Sequence, residues 1–351
     1  MKGALFVGLD IGTSAVKAIA IDAERGAVVA SASRPLALMA PRPGWAEQDS
    51  REYGEAAHAA LAELAVKLGR RRDAVAGIGL SGQMHTAVWL DAAKQPIRPA
   101  ILWCDGRTSA ACADIEARVG RARLARTVRN RPLEGFTLPK LLWLREHEPE
   151  SYARLEHVVM PKDDVVYRLT GELATDPSDA SGTLAFDVAR GRFSEEVLEA
   201  VGAPRDVWPV VGVSAAVAGA LCDASARATG LPRGTPVAHG AADNAAGAVG
   251  LGVVRAGRVL ASIGTSGVVV AHADDASVDE AMPLHTFCHA VPGRFYRMGV
   301  ALTAGGALRW YRDVLCDGER LAAELRGEDA YDVVLDAAST AKIGAGGVVF
   351  L

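Results

Sequence analysis

The sequence predicts an α/β protein built by internal duplication, with two domains of which the second is incomplete. Three observations lead there. A chain of 351 residues, half of them hydrophobic and 23% charged, is long enough for two cores of ordinary size. A strand, a Gly-Thr-Ser loop and a second strand occur twice, around DIGTS at Asp10–Ser14 and SIGTS at Ser262–Ser266, and a unit that recurs in two halves marks a duplicated domain. The final IGAGGVVFL is an apolar strand pattern with no polar tail, so a second domain cut before its sheet is complete is the expectation.

Taken in order, the elements are as follows. ALFVGLD, AVKAIAID and AVVASAS are apolar or β-branched runs separated by IGTS and AERG, which predicts an antiparallel meander. Asp49 and Glu52 form a D-x-x-E start signal for a helix, and Tyr53, Ala57, Leu61, Leu64 and Leu68 recur on one of its faces. AVAGIGLSG is a short apolar run ending in Gly, as expected of a buried strand that delivers a loop. TAVWLD and IRPAILW read as an extended pair that presents CDGRT, and the stretch from about Ser109 to Pro204 as a mainly helical insertion shaping a pocket. After LPRGTPVAHG the opening pattern returns in RVLASIGTSGVVVAHA, followed by the helix-like LTAGGALRWYRDVL. The expected division is a first domain over 1–235 and a second over 236–351.

Charge and composition exclude several function classes. A net charge of -4 leaves no electrostatic footprint for nucleic acid or an anionic membrane. The first apolar run is interrupted by Asp10 before it reaches the length of a signal core or a membrane span, so a cytoplasmic protein is expected. The five cysteines form no C-x-x-C pair and read as reduced thiols.

The loops carry the chemistry. A Gly-Thr-Ser turn between strands offers successive backbone N–H groups and two hydroxyls to a phosphate, and two such turns can hold a nucleotide triphosphate from both sides. Asp10 beside the first turn supplies a carboxylate for Mg2+, directly or through water. No Walker A pattern is present and no dinucleotide fingerprint lies near the first strand, which points to the two-hairpin arrangement of the actin-like ATPase (ribonuclease H-like) fold. In HGAADNAAGAVG, His239–Gly250, small residues surround Asp243 and Asn244. Asp243 reads either as a helix cap or as a carboxylate with clearance for a substrate. On residue type alone His85 is a structural histidine and Met84 a core side chain; their position after SGQ at a strand end moves both towards a pocket.

The segments GLDIGTSAVKA, PGWAEQD, GLSGQMHTAVWLD, RPAILWCDGRT, GFTLPKLLWLREHEP, MPKDDVVYRLTGELATDPSDASGTL, HGAADNAAGAVGLG and SIGTSGVVV together resemble the FGGY carbohydrate kinases, and Gly135–His147 fits the first signature of that family. The resemblance implies ATP-dependent phosphorylation of a sugar, D-xylulose in the branch matched here, with ATP and Mg2+ as cofactors. It puts Asp243 at the catalytic base, Asn244, Met84 and His85 at the sugar, and Asp10 near metal and phosphates. Gly12, Thr13 and Ser14 fall on one phosphate loop and Gly264, Thr265 and Ser266 on the other. Trp103, Asp105 and Arg107 match a W-N-D-x-R segment lining the sugar side, with Cys104 in place of its Asn. The family continues beyond GGVVFL into a segment that bears the adenine site. Another ketose or a polyol as substrate, or a sugar-binding fragment without catalysis, are the alternatives; the family also admits a homodimer.

Overall fold

The computed structural model describes residues 3–348. They form two compact units: the described residues to Val259 together with Val270–Met298, and Leu260–Val269 together with the described residues from Gly299 onward.

The first unit is organised by one mixed sheet. Strands β1 (Leu5–Ile11), β2 (Ala15–Asp22) and β3 (Ala27–Pro35) make the expected antiparallel meander. Helix α1 (Arg51–Leu68) follows, and β4 (Val75–Gly82) returns to pair parallel with β1. Much later in the chain β5 (Val217–Ala220), β6 (Pro236–Ala238) and β7 (Ala241–Ala242) complete the order β5-β6-β4-β1-β2-β3, with β7 also parallel to β4. Alternation along β1 sends Leu5, Val7, Leu9 and Ile11 to one face, where they are buried with Tyr53, Ala57, Leu61, Leu64 and Leu68 of α1. The helix start differs from the expected one: Ser50 occupies the cap position without a side-chain hydrogen bond, and Asp49 instead accepts from the backbone N–H of Arg51 at 3.0 Å.

Register sets the position of the site. Ile11 pairs with Gly82, and Gly82 with Ala242, so β1, β4 and β7 end in one row. The turn at Gly12, the segment Gln83-Met84-His85 and Asp243 leave from that row, the carboxyl edge at which ligands bind in sheets of this kind. Close approach is built in at Gly240, where φ is +78° and a Cβ would collide with the Leu80 carbonyl.

Between β4 and β5 lie mostly helices, as expected, including α2 (Thr137–His147), α3 (Pro161–Thr170) and the one-and-a-half-turn α4 (Pro177–Ser181). In this unit the strand His285–Cys288 pairs antiparallel with Phe295–Met298 of the strand Phe295–Ala301, from His285 with Met298 to Cys288 with Phe295. In the second unit, the described residues contain the loop Gly264–Ser266 and helices at Gly305–Leu315, Asp317–Arg326 and Ala330–Ser339. The apolar terminal pattern is not a strand as far as Val348: Ala345–Gly347 is a 3-10 turn, and residues 349–351 lie outside the described part. Among the described residues no helix is long and apolar enough to cross a membrane.

Candidate functional site

Asp243 opens a helix over Asp243–Gly250 directly after β7. It is not the cap that residue type allowed. Ala242 holds that position, and Asp243 Oδ1 accepts from the backbone N–H of its neighbour Asn244 at 2.7 Å and from the Asn244 amide at 2.9 Å. The carboxylate keeps access to solvent, yet the protein packed behind it pushes its pKa up to about 6; the Asn244 hydrogen bonds oppose this and the Asp10 charge adds to it. Such a group is a carboxylate at neutral pH that can still take up a proton.

Asn244 reaches across to the segment after β4, donating to Met84 Sδ at 3.7 Å. His85 follows in a left-handed conformation, φ 67°, unusual for a residue with a Cβ. Its Nδ1 lies 2.6 Å from the Gly182 carbonyl. A carbonyl only accepts, so Nδ1 carries the proton and Nε2 is a lone-pair acceptor. Burial, chiefly, with smaller contributions from Lys140 and His285, pushes His85 down to about 3 against the Gly182 hydrogen bond, so the ring is neutral.

Asp10 sits at the end of β1, where Ser81 Oγ donates to its Oδ1 at 2.8 Å. The loop after it is braced from inside. Thr13 Oγ1 accepts from Trp103 Nε1 at 3.0 Å and donates to Gln83 Oε1 at 3.3 Å, while Gln48 Nε2 donates to the Thr13 carbonyl at 2.7 Å. Tyr53 and Gln83 both donate to Gln48 Oε1, at 2.9 and 3.1 Å. The Thr13 hydroxyl and the Trp103 indole are therefore spent on each other.

Asp105 and Arg107, expected along the sugar side, turn inward instead. Their side chains are 0% and 1% exposed and form a bidentate pair at 2.8 and 2.7 Å. Arg107 also meets Glu47 at 2.7 Å and lies 3.6 Å from the centre of the Trp45 ring. They order the loop bearing Trp103 and Cys104; Cys104 itself is exposed.

Sequence reasoning missed a second support. Asp176 caps α4 through the Ser178 and Asp179 N–H groups, with Pro177 at the first helical position. Ser178 Oγ donates to Asp176 at 2.6 Å and accepts from the N–H of Ala242, the residue before Asp243, at 2.9 Å. Four residues further on, Gly182 holds the His85 ring. One short helix thus ties the histidine to the aspartate. Behind it Lys162 Nζ donates to Asp163 at 2.6 Å and to the His239 carbonyl at 3.0 Å, with Asp176 and Asp179 each at 3.3 Å. Burial pushes Asp179 well above the carboxylate range, and repulsion from Asp163 and Asp176 adds to this against the pull of Lys162. The D-P-S start of α4 was the available signal.

In the second unit the loop Gly264–Ser266 closes on itself through Gly264 N–H to the Ser266 carbonyl, 2.8 Å. Its carbonyls accept from the start of the helix Gly305–Leu315: Ala304 and Gly306 N–H reach the Thr265 carbonyl at 2.7 and 3.0 Å, and Gly305 N–H the Gly264 carbonyl at 2.9 Å.

Comparison with known proteins identifies the family and the fold. Residues 5–250 match the model of the FGGY family of carbohydrate kinases, N-terminal domain. The chain is 39% identical over 347 residues to a xylulose kinase of Escherichia coli, covering 99% of this chain and 68% of that protein, and 40% identical to the one of Klebsiella pneumoniae over the same shares. Among solved structures it is similar to the xylulose kinase of Rhodospirillum rubrum, with a TM-score of 0.88 and 32% identity over 98% of this chain and 69% of that one. A kinase described as a xyloylose kinase from Brucella ovis gives a TM-score of 0.86 at 36% identity, over 96% and 67%. The fold is that of the actin-like ATPases.

Proposed function

The chain belongs to the FGGY family of carbohydrate kinases, and from that premise we propose that it transfers the γ-phosphoryl group of ATP to a hydroxyl of D-xylulose, giving D-xylulose 5-phosphate. The observation that carries this is the grouping on one sheet edge of Asp243, raised to about 6, with Asn244 in contact with Met84 and a neutral His85 beside it.

Each residue has a task in this proposal. Asp243 takes the proton of the C5 hydroxyl as the oxygen attacks phosphorus in line. His85 Nε2 accepts a hydrogen bond from another sugar hydroxyl, and Asn244 and Met84 bound the same side. Trp103 fixes Thr13 instead of serving as a free donor, and the Gly12 N–H closes the turn on the Ala15 carbonyl at 3.1 Å, so the phosphate groups are left the N–H groups of Thr13 and Ser14 and the Ser14 hydroxyl. In the second half of the duplicated plan, whose proposed parts are the sugar-binding 1–235 and the nucleotide-binding 236–351, the Gly264–Ser266 loop offers the N–H groups of Thr265 and Ser266, the Gly264 N–H being held by the Ser266 carbonyl. Asp10 suits Mg2+, an ion that takes one or two carboxylates and keeps phosphate and water for the rest. Bound there, Mg2+ would neutralise charge on the phosphates.

The test is turnover of the purified chain with ATP and a panel of pentuloses, hexuloses and polyols, beside Asp243→Asn. Phosphorylation of D-xylulose in preference to the others, reduced about 100-fold or more in the variant, is expected. Turnover of a polyol alone would overturn the substrate, an unaltered rate in the variant would remove Asp243 as the base, and sugar binding without turnover would favour a binding role.

A further inference from the structure

His85 is held by its backbone as firmly as by its ring. Its left-handed conformation is one that a residue with a Cβ adopts only when the surroundings enforce it. Two donors from α2 do so: Thr137 Oγ1 reaches the His85 carbonyl at 3.1 Å and Lys140 Nζ at 2.9 Å. Lys140 is fully buried and gives its other hydrogen bond to the Gly135 carbonyl, 2.7 Å. Burial pushes Lys140 down to about 7 against the pull of Asp105, and a Lys head group taken out of water is tolerated only when its hydrogen bonds are met, here by two backbone carbonyls. The ring itself packs edge-on against Phe136, centroids 4.7 Å apart, and against Phe287, 5.6 Å, and a Cβ on Gly182 would stand 3.0 Å from Nδ1. With the carbonyl clamped and Nδ1 bound to Gly182, Nε2 is the ring nitrogen left to accept a hydrogen bond.

We propose that Lys140 and Thr137 are positioning residues for sugar recognition: by clamping the His85 carbonyl they hold the backbone conformation that presents Nε2 as an acceptor for a sugar hydroxyl. This rests on the reading of His85 as a sugar contact. Were the clamp released, the peptide would relax towards right-handed or extended geometry, the Gly182 hydrogen bond would break, and both tautomers of the ring would become populated.

The experiment titrates D-xylulose into the full chain by calorimetry and records the 15N shifts of its histidines, for the parent and for H85A, T137V, T137S and K140M. T137V removes the hydroxyl with little change of shape, and T137S restores it. H85A, T137V and K140M are each expected to weaken binding about tenfold or more, as for a lost hydrogen bond of about 1.4 kcal/mol, with T137S returning to the parent affinity. The parent His85 should show a protonated Nδ1, replaced in T137V by a tautomer mixture. If H85A weakens binding while T137V and K140M bind as the parent does, the clamp is overturned and the histidine contact stands. If H85A binds like the parent, or the parent binds no D-xylulose, the contact itself fails and the clamp with it. Should K140M not fold, the T137V and T137S pair with the tautomer signature decides.

Discussion

Asp243 faces opposite demands from folding and from turnover. Its pKa of about 6 in the folded chain stands above the ordinary 3.8, so the folded state holds the proton more tightly than the unfolded state does. The stability this contributes is complete below about pH 4 and is lost as pH rises through about 6, whereas a base must be deprotonated and works above about 6. Two outcomes follow for one residue. The pH dependence of kcat/KM should fall on the acid side with an apparent pKa near 6, and Asp243→Asn should melt at a higher temperature than the parent at pH 8, the difference closing below pH 4 in thermal scans across that range. A variant that melts lower at pH 8 would show that the carboxylate stabilises the fold. Arg107 is the contrasting case. Removing it leaves the buried Asp105 carboxylate without a cation, held only by the N–H groups of Ala46 and residue 107, while Glu47 keeps Arg98, so Arg107→Ala should cost about 3–5 kcal/mol in denaturant unfolding, through loss of the fold and not of one contact with sugar.

Short elements do the positioning. Helix α4 holds the Ala242 N–H through Ser178 and the His85 ring through Gly182. Ser178→Ala should therefore lower turnover with a stability loss of about 1–3 kcal/mol, the penalty for a buried N–H left without an acceptor, and Ser178→Thr should recover both in rate assays and melts. At the end of β6, Gly240→Ala forces a Cβ onto the Leu80 carbonyl at positive φ; a loss of roughly 1–3 kcal/mol or more is expected by thermal unfolding. These devices also mark the limit of what could be read from the chain. The β1–β3 meander and the buried face of α1 are local periodicities, so Leu5, Val7 and Leu9, or Tyr53, Ala57 and Leu61, declared themselves. Asp243, Asn244, Met84 and His85 were legible from a family pattern, and the structure brings them to one edge. Gln48, Gln83, Lys140, Lys162 and Ser178 were not, because their work depends on partners 35 to 77 residues away that no local spacing encodes. Asp105 and Arg107 show the converse: a motif identified them, while the direction in which they point followed from Glu47 and Trp45, far upstream.

At the scale of the molecule the two units differ in how much they bury. Among the described residues from Gly299 to Val348, Cys316, Ala323 and Val334 are the buried ones, while Leu302, Leu325 and Ile343 are largely exposed. Hydrogen exchange should accordingly reach the amides of Gly305–Leu315 well before those of β1, β4 and α1; equal protection in both regions would contradict this. In the first unit, the row in which Ile11, Gly82 and Ala242 align has a practical use. A slip of one residue between strands would send every side chain to the opposite face, carrying the turn at Gly12, His85 and Asp243 out of step together. Molecules with a misaligned sheet should then be blind to the sugar altogether rather than weakened, so the stoichiometry of a D-xylulose titration, read apart from its affinity, would count the correctly assembled fraction in any refolded preparation.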